Sequence, residues 1–132
     1  MSIVSPVQNA DVSGFVIKDP VYDDDTLVFT GADTLAEGTI LGRITASKKL
    51  TFYASGAADG SEIPVAILPQ EIVAAGAGDI ETRVLVSGEV KQEKLVEDGV
   101  GTGITDAALK DQLRDYGIIA LSVTERNFQD NQ

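Results

Sequence analysis

The sequence predicts a mainly β domain, a small barrel or sandwich, with one short α-helix near its C-terminus and an extended arm at its N-terminus. Three observations lead there. Short runs of β-branched, aliphatic and aromatic residues recur between clusters of Gly, Ser, Asp and Asn, the pattern of brief strands joined by tight turns. Ile80 to Val86 alternates strictly, with Ile80, Thr82, Val84 and Val86 on one side and Glu81, Arg83 and Leu85 on the other. Only Asp106 to Tyr116 carries a helical period.

The chain begins with MSIVSPVQNADVS, small polar residues around isolated Ile3, Val4, Val7 and Val12. It has too little periodicity for a helix and too little bulk for a core strand, so it reads as an extended arm or a frayed terminus. Residues 1–20 are taken as this arm, 21–123 as a single β-rich domain and 124–132 as a polar tail. Gly14 to Ile17 is expected to form a strand that Asp19-Pro20 closes, because proline cannot donate to a ladder. Asp23-Asp24-Asp25 reads as a solvated loop that keeps a strand edge from sticking. It lacks the alternate ligands, glycine and closing glutamate of an EF-hand. Thr26 to Thr30 is the next strand.

A central stretch follows, from Thr34 to Leu68. Thr39 to Ile44 is a strand, Ala46 to Lys49 a polar turn, Leu50 to Tyr53 the returning strand, Ser55 to Ser61 a Gly-rich loop, and Ile63 to Leu68 an apolar strand. Gln70 to Asp79 reads as bend and loop. Beyond Val86, Ser87-Gly88 is expected to interrupt the strand, Glu89 to Leu95 to continue it, and Val96 to Gly103 to connect. The helix has Thr105 as N-cap, Ile104 and Leu109 as a hydrophobic staple, and Gly117 at the left-handed C′ position. Leu109, Gln112, Leu113 and Tyr116 share its face. Ile118 to Val123 is a last buried strand.

Composition narrows function. Of 132 residues 43% are hydrophobic and 5% aromatic, so the core is built from Val, Ile, Leu and Ala, and such a lean core favours association. With 21 acidic and 10 basic side chains the net charge is −11, which excludes a basic stripe for nucleic acid and disfavours anionic membranes. Without cysteine or histidine there are no disulfides, no Ser–His or Cys–His nucleophiles and no imidazole zinc sites. No positively charged start leads into an apolar run and no apolar run reaches membrane-spanning length, so a soluble protein of a reducing compartment is expected. Gly99 to Gly103 lacks the lysine and hydroxyl of a phosphate loop. Lys48-Lys49 sits at a turn like the carrier lysine of lipoyl and biotinyl domains, but Ser47 stands where those modules place an acid or methionine. Glu62, Glu71 and Glu81 read as surface charges rather than glycosidase acids. Neither an enzyme nor a cofactor is expected.

The central stretch also carries a family resemblance. Its parts are Glu37-Gly38-Thr39-Ile40-Leu41-Gly42-Arg43-Ile44, a lysine-bearing turn into Leu50-Thr51-Phe52-Tyr53, then Asp59-Gly60-Ser61 and a strand ending Ala66-Ile67-Leu68. In this order, over about residues 34 to 95, the chain resembles the lambda-type head decoration proteins of tailed bacteriophages. The resemblance implies a β-tulip-type domain that forms homotrimers over local three-fold positions of the mature head. There it cements the major capsid protein against internal DNA pressure. It implies a protein made in the bacterial cytoplasm and carried on the outer surface of the virion, with no nucleic-acid or membrane partner. In that family the segment before the core domain contacts the capsid, which maps by position onto Ser2, Ile3, Val4, Ser5, Pro6, Val7, Val12 and Phe15. The C-terminal part with its helix is read as a local addition. The alternative is a virion-surface β domain that binds a carbohydrate or cell-surface ligand. It requires a pocket lined by some of Phe15, Tyr22, Phe29, Phe52, Tyr53, Tyr116 and Phe128.

Overall fold

The computed structural model describes residues 15–104 and 106–122. Among the described residues ten strands, a 3-10 turn and one helix follow in order: β1 Val16–Phe29, β2 Asp33–Leu35, β3 Ile40–Arg43, β4 Leu50–Phe52, β5 Pro64–Ile67, β6 Ile72–Ala74, β7 Gly78–Lys91, the turn Gln92–Lys94, β8 Val96–Glu97, β9 Gly101–Thr102, α1 Ala107–Asp115 and β10 Ile118–Leu121. The main sheet runs β1-β4-β3-β5-β7 and returns to β1 through a β1–β7 pairing, which closes a five-stranded barrel. Of the two architectures the sequence left open, the barrel is the one adopted. β10 adds to β7 outside it, in parallel.

Alternation along the barrel strands splits the apolar residues into two layers. Leu41, Leu50, Ala66 and Val84 belong to one cluster with Leu27 and Phe29, filling the barrel. Their chain neighbours Ile40, Ile67 and Leu85 belong to a second cluster on the outer wall, with Phe15, Val90, Leu95, Leu109, Leu113 and Ile118. The register explains the row: Ile40 lies opposite Ile67, and Ile67 opposite Leu85. Gly42 lets the wall be approached closely, since a Cβ there would meet the Ser61 backbone oxygen at 2.5 Å.

The barrel closes at a thin seam. β1 meets β4 in parallel at a single pair, Leu27 and Leu50. Two ion pairs bracket it. The Arg43 guanidinium donates to Asp25 at 2.8 and 3.4 Å, and the Lys49 ammonium reaches Asp79 at 2.6 Å. Burial alone would raise the Asp25 carboxyl; hydrogen bonds from Arg43 and the Thr26 N–H, with the Arg43 charge, outweigh it and hold the group below the usual carboxylate range.

Several expectations change. Asp19-Pro20 does not end a strand: β1 continues for 14 residues, with shifted register around these two and Asp19 at φ 55°. A bulge absorbs the missing proline donor. Asp23, Asp24 and Asp25 are not a loop but lie within β1, opposite Val84, Arg83 and Thr82. Ser87-Gly88 does not interrupt β7. The stretch Gln70 to Asp79 holds β6, which pairs with β2, and the connector Val96 to Gly103 is a small hairpin. The helix starts one residue later than expected: Asp106 caps it, its carboxylate accepting from the Ala108 N–H at 3.0 Å, while Thr105 lies outside the described residues. Ile104 and Leu109 are both buried in the outer layer, and Gly117 turns at φ 91° as the C′ residue must. Of the four residues placed on one helix face, Leu109 and Leu113 are buried, while Gln112 and Tyr116 are exposed. Val123 and the tail Thr124 to Gln132 lie outside the described residues.

Candidate functional site

The outer layer decides where the chain enters and leaves the barrel. Phe15 is 3% exposed, its ring packed in the outer cluster, and its carbonyl accepts from the Lys91 N–H at 2.7 Å. Val16 then pairs with Val90 at the start of β1. On the other side of the same strand, Leu121 pairs with Lys91 at the end of β10. β1 runs antiparallel and β10 parallel to β7, so the first described residue and the last strand meet at one end of β7. The first and the last described segments therefore lie together at one place, flanking Lys91.

Of the residues assigned to capsid contact, Ser2, Ile3, Val4, Ser5, Pro6, Val7 and Val12 lie outside the described residues. Phe15 is among the described residues, and its side chain is buried in the outer layer. Val16 to Pro20, placed in the arm by the sequence, form the first part of β1.

Two further surface features stand out, at the Val96 to Gly103 connector and at the Lys48-Lys49 turn, which the sequence marked only as a loop and as a poor match to a carrier lysine. The β8–β9 hairpin carries the turn Asp98-Gly99-Val100, closed by the Val100 N–H on the Glu97 carbonyl at 2.9 Å. Val100 is 75% exposed at its tip. Burial and the nearby charge of Asp33 push the Asp98 carboxyl above its ordinary range. The hairpin is fastened at the start of β3, where the Val96 N–H donates to the Gly38 carbonyl and Val96 bridges Thr39. At the other end of β3, Arg43 and Lys48 line a cavity of about 300 Å³ together with Ile63, Val65 and Tyr116. The Arg43 guanidinium holds the Lys48 carbonyl at 2.8 Å and fixes this turn, in which Lys48 sits at φ 68°. Among the described residues the Lys48 ammonium has no ion-pair partner.

A larger cavity of about 380 Å³ opens beside the β1–β2 connection. Phe29 and Phe52 border it, but Phe29 is buried in the barrel and Phe52 packs against the same cluster. Asp59, also on its rim, accepts from the Ser61 hydroxyl at 2.6 Å and the Ser61 N–H at 3.0 Å, which hold its carboxyl below the ordinary range. Asp33, the other acid of its lining, accepts from the Thr34 N–H at 2.8 Å, so both acids are engaged by their neighbours in the chain, and the aromatics serve the core. Among the described residues no group of acids is arranged to hold a metal ion, and no helix is long and apolar enough to cross a membrane.

No curated protein sequence and no solved structure is similar enough to match. A family model, bacteriophage lambda head decoration protein D, matches residues 7–118. The match extends past the central stretch at both ends and takes in α1, so the helix is part of the family's domain rather than a local addition. It also spans the place where the chain enters the barrel beside Lys91. On that match, the chain belongs to the bacteriophage lambda head decoration protein D family, structural components of the phage capsid.

Proposed function

We propose that this protein binds the outer surface of the expanded head as a homotrimer at local three-fold positions and stabilises the shell against internal DNA pressure. Family membership supplies the capsid as partner. The observation that carries the finer reading is the meeting of the first and last described segments beside Lys91. The end of β7 at Lys91 then faces the shell, and residues 1–14 leave from it.

The chemistry needed is modest. Ile3, Val4, Pro6 and Val7 give the leading segment apolar anchors, and an extended segment adds to an exposed strand edge through backbone hydrogen bonds. Three such segments on one body bind as a unit, so weak single contacts sum to firm attachment through effective concentration. A ligand that binds only the expanded shell stabilises that state by about 2.7 kcal/mol per site at a hundredfold excess over its Kd. No catalytic group is required.

Deletion of residues 2–13 tests this. Light scattering is expected to show a folded trimer, and co-sedimentation with expanded heads is expected to fall to background. Decoration at full-length affinity by the shortened protein contradicts the role given to the leading segment.

A further inference from the structure

We propose that the Asp98–Val100 turn of one copy docks into the cavity between Lys48, Ile63 and Tyr116 of the next copy, so that the trimer is held head to tail. This rests on the trimeric reading above and names its interface.

The two surfaces match in shape and in sign. One is a projection: Val100, 75% exposed, on a two-strand hairpin that also carries Glu97 and Asp98. The other is a recess of about 300 Å³ walled by Ile63, Val65 and Tyr116, with Lys48 on its rim. Ile63 and Tyr116 are 39% and 49% exposed, large apolar surfaces left open to water in a single copy. A chain of net charge −11 repels its own copies, so local opposite charge favours one contact between them over others. An acidic tip against a lysine without an ion-pair partner among the described residues provides it. Asp98, crowded by burial and by Asp33, gains a counter-charge there.

Placement makes the contact intermolecular. The hairpin is tied to Gly38 and Thr39 before β3, whereas the recess lies at Arg43 and the turn beyond it. None of the residues lining the recess comes from the hairpin. A contact between two different patches is heterologous, and it forms a closed ring when the rotation between copies returns to the start.

Sedimentation of the purified full chain over a concentration series tests this. Val100→Asp puts a charge at the centre of the contact and is expected to raise the concentration of half-dissociation at least about 100-fold, the scale of a buried anchor. Lys48→Glu is expected to weaken assembly about tenfold, and Asp98→Lys added to it to restore most of that loss. Val100 is exposed in the single copy, so the V100D monomer is expected to keep the wild-type circular dichroism spectrum. Mixing is the sharper arm: V100D, with its recess intact, and Ile63→Asp, with its tip intact, are expected to form a 1:1 dimer and no trimer. A wild-type trimer that V100D leaves undisturbed overturns the docking alone, as does a mixture in which no dimer forms. A wild-type chain that stays monomeric overturns the trimeric reading itself.

Discussion

Inside the barrel wall, Leu41, Leu50 and Val84 are enclosed by strands bonded to one another; outside it, Ile40, Ile67 and Leu85 are covered by α1, β10 and Phe15. The two layers share the same strands, and neighbouring residues such as Val84 and Leu85 serve opposite ones. They differ in what holds them shut. The inner layer is sealed by a closed ladder, so losing one contact is felt all around the ring. The outer layer depends on one nine-residue helix and one four-residue strand added to β7. Peripheral elements with fewer buried contacts and more exposed backbone hydrogen bonds open at lower free energy than core strands. The outer layer is also where Phe15 packs and where β10 joins β7, so the first and last described segments sit on the layer outside the barrel.

A matched pair of truncations sharpens that contrast. Leu41→Ala, at a fully buried position inside the barrel, is expected to lower global stability by about 3–5 kcal/mol. Leu113→Ala, equally buried but beneath the helix, is expected to remove about 2–4 kcal/mol. Its amide exchange is expected to rise first in α1 and β10 while β3 and β5 stay protected. Chemical denaturation followed by hydrogen exchange reads both. Equal, uniform loss of protection in the two variants would show a single cooperative unit and break the distinction.

A smaller effect concerns the seam. Arg43 holds the Asp25 carboxyl below its unfolded value, so the pair stabilises the protein above about pH 4 and that contribution disappears as pH falls through the folded pKa. Both side chains keep some contact with water, which screens the pair. Asp25→Asn is therefore expected to lower stability at pH 7 by about 1 kcal/mol. Its difference from wild type is expected to narrow as pH drops from about 5 toward 3, because the wild type then loses the same pair. Denaturant midpoints over that range measure it, and a gap that widens in acid contradicts the assignment.

Much of the barrel was legible because its signals are local. The alternation from Ile80 to Val86 placed Val84 and Leu85 on opposite faces, and the Gly-bounded runs located β3, β4 and β5. Where the reading failed, a distant partner overrode a local rule. Aspartate is a poor strand former, yet Asp24 lies in β1 because the long β7 sets Arg83 opposite it. Pro20 reads as a stop, but a bulge at a ribbon edge accommodates it. β2 and β6 are three residues each and find one another across the fold, leaving no pattern to read along the chain. Phe15 shows the same limit at the site: nothing in a lone aromatic beside a polar segment signals its burial among outer-layer residues distant in the chain. The recess at Lys48 combines residues from three separate segments, so no window of sequence contains it.

In the proposed mode of binding the body sits on the shell with the Lys91 end of β7 directed at the coat protein. A three-dimensional reconstruction of decorated expanded heads tests it most directly. The account predicts three copies around each occupied local three-fold position, with that end facing inward and density for the leading residues continuing from Phe15 onto a coat subunit. Copies bound singly, or bodies turned so that the Gly78 end of β7 meets the shell, would contradict it.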